Sequence, residues 1–217
     1  MYVPTHFEEP RTEILHDLIE RFPLGVLITH GAAGLDANHI PFHLVRDGSP
    51  LGTLHAHVAR KNPVWREVAS GDEVLVVFRA DHAYISPSWY PSKHELHNQV
   101  PTWNYTVAHA HGAIAIRDDE RFVRGVVGRL TKHHEAGEPV PWKMSDSSQE
   151  LIATLIEQIV GIEIPIARLV GKAKLGQNKE ARDQRGAGEA LIARGHAAIG
   201  EAMRTLADAK PSSTIKP

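Results

Sequence analysis

Two cations, Arg60 and Lys61, lie in a short turn before a predicted helix, an arrangement that could bind an anion. Asn62 and Pro63 predict the helix start, because an asparagine side chain can cap a first turn and proline already has the φ angle required there. Free backbone N–H groups at such a start, together with the two positive side chains, would attract a phosphate. The alternative is an ordinary strand–helix connection with solvent-exposed charges, and the spacing alone favours that simpler interpretation.

The segment before this turn carries a strand pattern. Leu54 and Ala56 alternate with His55 and His57, and this period of two predicts a strand with one face toward a core. His55 with His57 forms one histidine pair spaced by two, and His109 with His111 forms another. Such a pair is half of a metal site, but zinc needs three or four protein ligands and no third histidine has a defined spacing. Packed or solvated histidines are therefore the favoured interpretation, and we predict no metal.

Aromatic residues are concentrated in residues 89–105, which hold half of the tryptophans and tyrosines of the chain. A strand period places Trp103 and Tyr105 on one side and the hydrogen-bonding residues Thr102 and Asn104 on the other. Aromatic faces beside polar side chains suit a planar heteroaromatic ligand. A dimer interface or the edge of a core is the alternative, and the two interpretations are compatible.

Length and composition exclude several classes of protein. With 217 residues the chain can bury a core as one large domain, or as one domain with a smaller appendage. Its net charge of −2 argues against nucleic-acid binding by bulk electrostatics. The absence of cysteine excludes disulfides, thiol nucleophiles and thiolate metal sites. No signal peptide and no membrane-spanning stretch is predicted, so we expect a cytoplasmic, soluble protein with no membrane partner.

The order of the predicted elements indicates the fold class. A helix is followed by strands with one short helix inserted, then two helices, a last strand and C-terminal helices. The helix that starts with the capping box Ser147–Glu150 is expected to bury a stripe of Leu151, Ile152, Leu155, Ile156 and Ile159. Hairpin-joined strands with helices at the periphery favour an antiparallel barrel in a mainly β, α+β fold. We predict a domain over 1–175 and a helical C-terminal extension with a frayed tail over 176–217.

Several sequence blocks together resemble the PaiB family, whose members are described as FMN-binding negative transcriptional regulators. The resemblance extends over roughly Met1 to Leu191 and lies in blocks that come in the family's order: Tyr2–Phe7, Asn38–Phe42, His57–Trp65, Tyr84–Tyr90, Val100–Tyr105, Ile162–Ile164 and Lys172–Asn178. The Trp-Asn-Tyr and Ala-Arg-Lys-Asn-Pro blocks are the more specific ones. The resemblance implies a split β-barrel similar to pyridoxamine-phosphate oxidases and small flavin reductases, which form homodimers with flavin at the subunit interface.

The resemblance also implies which residues contact FMN. The FMN phosphate would be held by backbone N–H groups and by the guanidinium of Arg60. The residues of this phosphate-binding block are His57, Val58, Ala59, Arg60 and Asn62. The ring and ribityl chain would contact Asn38, His39, Thr102 and Asn104, and the site would be closed by Lys174, Gln177 and Asn178. Gly176 departs from the family, which usually has serine there, so a hydroxyl is missing from the last group.

Three functions remain open from the sequence. The first is an FMN-binding negative regulator of transcription; DNA is a possible partner, but its only support is Arg182, Arg185, Arg194 and Arg204, and no helix-turn-helix signature is present. The second is an FMN-dependent oxidoreductase similar to flavin reductases or oxidases, for which the catalytic residues are unknown. The third is haem binding through a single axial histidine.

Overall fold

The computed structural model of the protein describes residues 1–46 and 48–211. Nine strands are formed within these residues: β1 (Glu8–Glu9), β2 (Leu24–Gly31), β3 (Gly34–Pro41), β4 (His43–Val45), β5 (Thr53–Ala59), β6 (Glu73–Ile85), β7 (Thr102–Ala113), β8 (Ala115–Arg117) and β9 (Ile159–Lys174). The same residues form seven α-helices: α1 (Thr12–Arg21), α2 (Val64–Glu67), α3 (Lys93–Leu96), α4 (Glu120–His134), α5 (Gln149–Glu157), α6 (Ala181–Ile192) and α7 (Ala197–Asp208).

The strands form a sheet in the order β3-β2-β6-β7-β9-β5-β4, and β1 and β8 also pair with β9. The pairs β2–β3, β2–β6, β4–β5 and β5–β9 are all antiparallel, as are the pairs that β1 and β8 make with β9. This arrangement confirms the predicted α+β class with a mainly antiparallel sheet. None of the helices in residues 1–46 and 48–211 is long and apolar enough to cross a bilayer.

The chain divides into two compact units. The first comprises Met1–Pro10, Arg79–Val107 and the described part of Gly171–Pro217, and the second comprises Arg11–Phe78 and Ala108–Val170. Strands β6, β7 and β9 each pass from one unit into the other. The predicted boundary at residue 175 stays a prediction, and residues 212–217 of the predicted frayed tail lie outside the described residues.

In the second unit, alternation decides which side chains enter the core. On β5, the side chains of Leu54, Ala56 and Val58 are buried, while the intervening histidines lie on the opposite face, as the period of two predicts. On α5, however, only Ile152 and Ile156 of the expected stripe are buried; Leu151 is 49% and Leu155 is 53% exposed. The helix contacts its neighbours along a narrower strip than the apolar pattern indicates.

The first unit has its own core. Apolar side chains from the end of β6, the segment after it, α6 and α7 pack together, including Ile85, Tyr90, Leu191 and Met203. A buried polar contact fixes the segment between β6 and β7 to α6: Ser92 donates its N–H (3.0 Å) and its hydroxyl (2.6 Å) to the carboxylate of Asp183. The C-terminal helices are therefore part of the packed interior of this unit.

Candidate functional site

The turn after β5 is built around Asn62. Its side-chain oxygen accepts a hydrogen bond from the N–H of Val64 (3.0 Å). Helix α2 starts one residue later than predicted, with Pro63 rather than Asn62 at the N-cap, but Asn62 still binds the first N–H of the helix. Its side-chain amide donates to the Oδ1 atom of Asn38 (2.8 Å). The structure thus brings together two of the residues predicted to contact flavin, Asn38 and Asn62, and holds both amides in fixed orientations.

The backbone of this turn offers fewer free donors than the sequence predicts. The N–H of Arg60 donates to the carbonyl of Gln158 (2.7 Å), and the N–H of Asn62 donates to the carbonyl of Ala59 (2.8 Å). Helix α2 contains only four residues, so its dipole is small. An anion bound at this turn would therefore depend mainly on side chains.

The guanidinium of Arg60 is already paired. It donates to both carboxylate oxygens of Asp118 (2.8 and 2.6 Å), and its remaining contacts are the carbonyls of Glu157 (2.7 Å) and Ile159 (3.1 Å). The hydrogen bonds between Arg60 and Asp118 raise the pKa of the arginine and lower the pKa of the carboxyl. Asp118 lies 58 positions away from Arg60, and no local sequence pattern indicated the pair.

His57 lies on the polar face of β5, opposite Gly161 of β9. Its Nδ1 atom is buried and lacks a hydrogen-bond partner within the described part of the chain. Burial lowers the pKa of His57, so the ring is neutral at physiological pH. A buried polar atom without a partner fits a residue that contacts a ligand. Val58 lies in the core and Ala59 is exposed, so these two residues have only backbone groups to offer.

The other predicted residue of this unit, His39, is exposed on β3, the first strand in the sheet order. One histidine of each pair contacts an arginine: Nδ1 of His55 lies 3.0 Å from the Arg129 guanidinium, and Nδ1 of His111 lies 3.0 Å from that of Arg168. No group of three or more His, Asp or Glu residues in the described ranges could hold a metal ion.

In the first unit, Lys174 and Thr102 are in contact. The ammonium of Lys174 donates to the hydroxyl of Thr102 at 2.5 Å. Burial lowers the pKa of Lys174, Tyr105 raises it, and the positive charges of Lys172 and Lys179 lower it further. Three lysines whose charges repel one another form a positively charged environment, which would be stabilised by a bound anion.

Asn104 and Gln177 differ in what they could offer a ligand. Asn104 is 1% exposed; its amide donates to the sulfur of Met203 (3.4 Å), and its Oδ1 has no partner within the described residues. The Gln177 side chain is used inside its own turn, accepting from the N–H of Leu175 (2.8 Å) and donating to the carbonyl of Ala173 (2.6 Å). Asn178 is exposed and does not cap α6, whose N-cap is Glu180.

Gly176 has a structural reason to replace the serine expected there. Its φ angle is +81°, in the left-handed region that glycine adopts without steric cost. A Cβ atom at this position would lie 3.5 Å from the nearest side-chain atom, that of Gln184, so conformation rather than space favours glycine. The missing hydroxyl is therefore a consequence of this turn.

Comparison with known proteins identifies the family to which this chain belongs. Residues 1–168 of the 217-residue chain match the sequence profile of the family described as "Putative FMN-binding domain". The chain belongs to this family of FMN-binding domains, and FMN is its cofactor.

The individual relatives agree with this membership. The chain is 28% identical to protease synthase and sporulation protein PAI 2 of Bacillus subtilis, over 84% of this chain and 85% of that protein, which confirms the resemblance to the PaiB family. It is 33% identical to an uncharacterised protein of Emericella nidulans, over 86% of this chain and 88% of that protein. Among solved structures, the FAD and heme binding protein of Mycobacterium smegmatis has the same fold, with a TM-score of 0.57 at 19% identity, over 78% of this chain and 74% of that protein.

Proposed function

We propose that this chain is an FMN-binding regulatory protein of the PaiB type, which acts in the cytoplasm to repress transcription. The observation that carries the proposal is the family match over residues 1–168 together with the similarity to PAI 2 over most of both chains. A split-barrel homodimer with flavin at the subunit interface belongs to the same proposal.

The proposed flavin contacts form two sets, one in each unit. In the second unit, His57 supplies a buried ring nitrogen without a partner in the described residues, and Asn38 and Asn62 supply two oriented amides. The other proposed contacts of this unit are His39, Val58, Ala59 and Arg60. In the first unit, the contacts are Thr102, Asn104, Lys174, Gln177 and Asn178. The uncharged amides suit the carbonyl and N–H groups of a flavin ring or the hydroxyls of its ribityl chain.

Bound FMN supplies one- and two-electron redox chemistry, and the protein residues bind and orient the flavin. The buried atoms Nδ1 of His57 and Oδ1 of Asn104 each need a partner, and a ligand that provides one stabilises the folded state. The positive charge at Lys174 suits the phosphate, because an anion would offset the repulsion from the neighbouring lysines.

Titration of the purified protein with FMN, followed by quenching of flavin fluorescence, tests this proposal. We expect Lys174→Met and Asn62→Ala each to weaken FMN binding about tenfold or more, whereas Arg121→Met, which removes an exposed cation from α4, leaves it unchanged. Lys174→Met should also reduce the dependence of FMN binding on salt. Normal binding by both site variants would reject the proposed contacts, and no binding by the unaltered chain would reject the flavin function itself.

DNA binding needs a separate test, because three of the four C-terminal arginines lie beside acidic residues. Arg182 is paired with Glu95 (2.6 Å), Arg185 with Asp208 (2.6 Å), and Arg204 lies 3.8 Å from Glu201. Their charges are therefore offset locally, so we do not place a DNA contact on α6 or α7. Retention of promoter DNA over a salt series, with and without FMN, tests direct regulation. A lack of sequence-preferring, salt-sensitive retention would contradict it.

A further inference from the structure

The first unit contains an aromatic cavity that none of the proposed flavin contacts lines. It has a volume of about 350 Å³ and is formed by the end of β6, by Trp103 of β7, by Trp89 and by the turn between α6 and α7. This volume lies at the small end of the range for ligand pockets. Its floor is apolar and rigid, because Leu191 and Ala83 are almost completely buried.

Three rings from neighbouring strands form one wall. The indole of Trp103 stacks on the imidazole of His82, with 6.1 Å between ring centroids and 26° between the ring planes, and contacts Tyr84 edge-on at the same centroid distance. Trp103 is nevertheless 54% exposed and Tyr84 is 46% exposed. Large aromatic faces held in defined orientations but left open to solvent offer stacking surfaces to a planar ligand.

The cavity is also lined by positive charge. The guanidinium of Arg194 lies 4.6 Å from the centroid of the Trp89 ring, and its Nη1 atom donates to the carbonyl of Ala190 (2.8 Å), so the side chain is held in place. His196 lies beside it and offers ring nitrogens. Every residue that lines the cavity is neutral or basic, so a negatively charged group meets attraction without an opposing carboxylate.

We propose that this cavity binds a small aromatic carboxylate, with its ring against Trp103 and its carboxylate toward Arg194. The two halves of such a ligand are recognised by different interactions. The planar guanidinium of Arg194 pairs with the carboxylate, and the indole of Trp103 stacks on the aromatic ring of the ligand. A neutral aromatic molecule uses only the second contact, and a non-aromatic carboxylate uses only the first.

Isothermal titration calorimetry with 2-naphthoate tests the assignment. Full-length protein is first saturated with FMN, so that the probe does not occupy a flavin site. We expect 2-naphthoate to bind at least about tenfold more tightly than either 2-naphthamide or cyclohexanecarboxylate, because each lost contact is worth roughly a factor of ten. Equal binding of the acid and the amide, or no binding of 2-naphthoate, would overturn the proposal.

Two variants and a matched control locate the probe. Arg194→Met should weaken 2-naphthoate binding about tenfold while leaving 2-naphthamide unaffected, and Trp103→Ala should weaken both. Arg66→Met is the control, because Arg66 also lies over a tryptophan, 4.4 Å from the Trp65 ring, in the other unit. Unchanged binding to Arg194→Met would refute the site. Self-association that buries Trp103 and excludes the probe would show a subunit contact instead and would also refute it.

Discussion

Replacing His57 by leucine should make the flavin-free protein more stable and its FMN binding weaker. In either tautomer, the Nδ1 atom of His57 is buried without a partner in the described chain, so the folded state bears a desolvation cost at this nitrogen. Leucine has a similar size and no polar atom, and this cost disappears. A residue whose removal improves stability but impairs binding is one kept for the ligand.

The expected magnitudes follow from the cost of a buried polar group. An unsatisfied donor or acceptor costs about 1–3 kcal/mol, and imperfect packing of leucine offsets part of the gain, so we expect a net stabilisation of about 1 kcal/mol. Loss of one hydrogen bond to the flavin, worth about 0.5–1.5 kcal/mol, should weaken FMN binding roughly two- to tenfold. Urea unfolding of the flavin-free protein and fluorescence titration with FMN measure the two effects.

His111→Leu is the control for the binding measurement. His111 also has a buried nitrogen without a partner in the described chain, Nε2, but it contacts Arg168 and is no predicted flavin residue. FMN binding should therefore be unchanged in this variant. If His57→Leu destabilised the flavin-free protein, His57 would be a structural residue; if it left FMN binding unchanged, the proposed contact would be wrong.

Three further predictions test the fold. Asp183→Ala should destabilise the protein by about 2–5 kcal/mol in urea unfolding, because both Ser92 donors lose a buried acceptor. Stability should fall as the pH decreases from 6.5 to about 4, since burial, with a smaller contribution from Arg129, lowers the pKa of His55 from 6.5 to about 4 and only the unfolded chain takes up a proton in that range. Because the ring is partly exposed, this loss should be about 1–2 kcal/mol, and thermal melts of His55→Phe should show a smaller pH dependence. Gly112→Ala should lower the melting temperature at all pH values, because a Cβ there would overlap the carbonyl oxygen of Pro165.

The sequence predicts the elements of the fold better than their lengths. Alternation identified β5, and the Asn62-Pro63 signal identified α2, because both patterns are local. Strands β7 and β8 are separated at Ile114, whose backbone N–H and C=O bond to residues 72 and 71 of a distant turn. Such contacts join positions about forty apart, and no local pattern contains them.

Apolar patterning also overestimated burial on α5. Of the five residues expected in its stripe, Leu151 and Leu155 are about half exposed, and Ile159 lies beyond the helix, in β9. Only Ile152 and Ile156 are buried, against Val123. Which part of a stripe is covered depends on the width and position of the neighbouring element, here α4, and the sequence of α5 does not specify either.

The charges at the predicted site also depend on contacts between residues that are distant in sequence. Sequence similarity placed a phosphate-binding arginine at position 60, but four of the five N–H donors of that guanidinium are already used, two of them by Asp118. A phosphate at Arg60 would have to replace Asp118 or lie beside its negative charge. At Lys174, by contrast, burial and then the neighbouring charges of Lys172 and Lys179 lower the pKa, so a dianion there gains attraction from three lysines. The charge distribution of the folded chain therefore favours the lysine group over Arg60 as the place where the FMN phosphate binds.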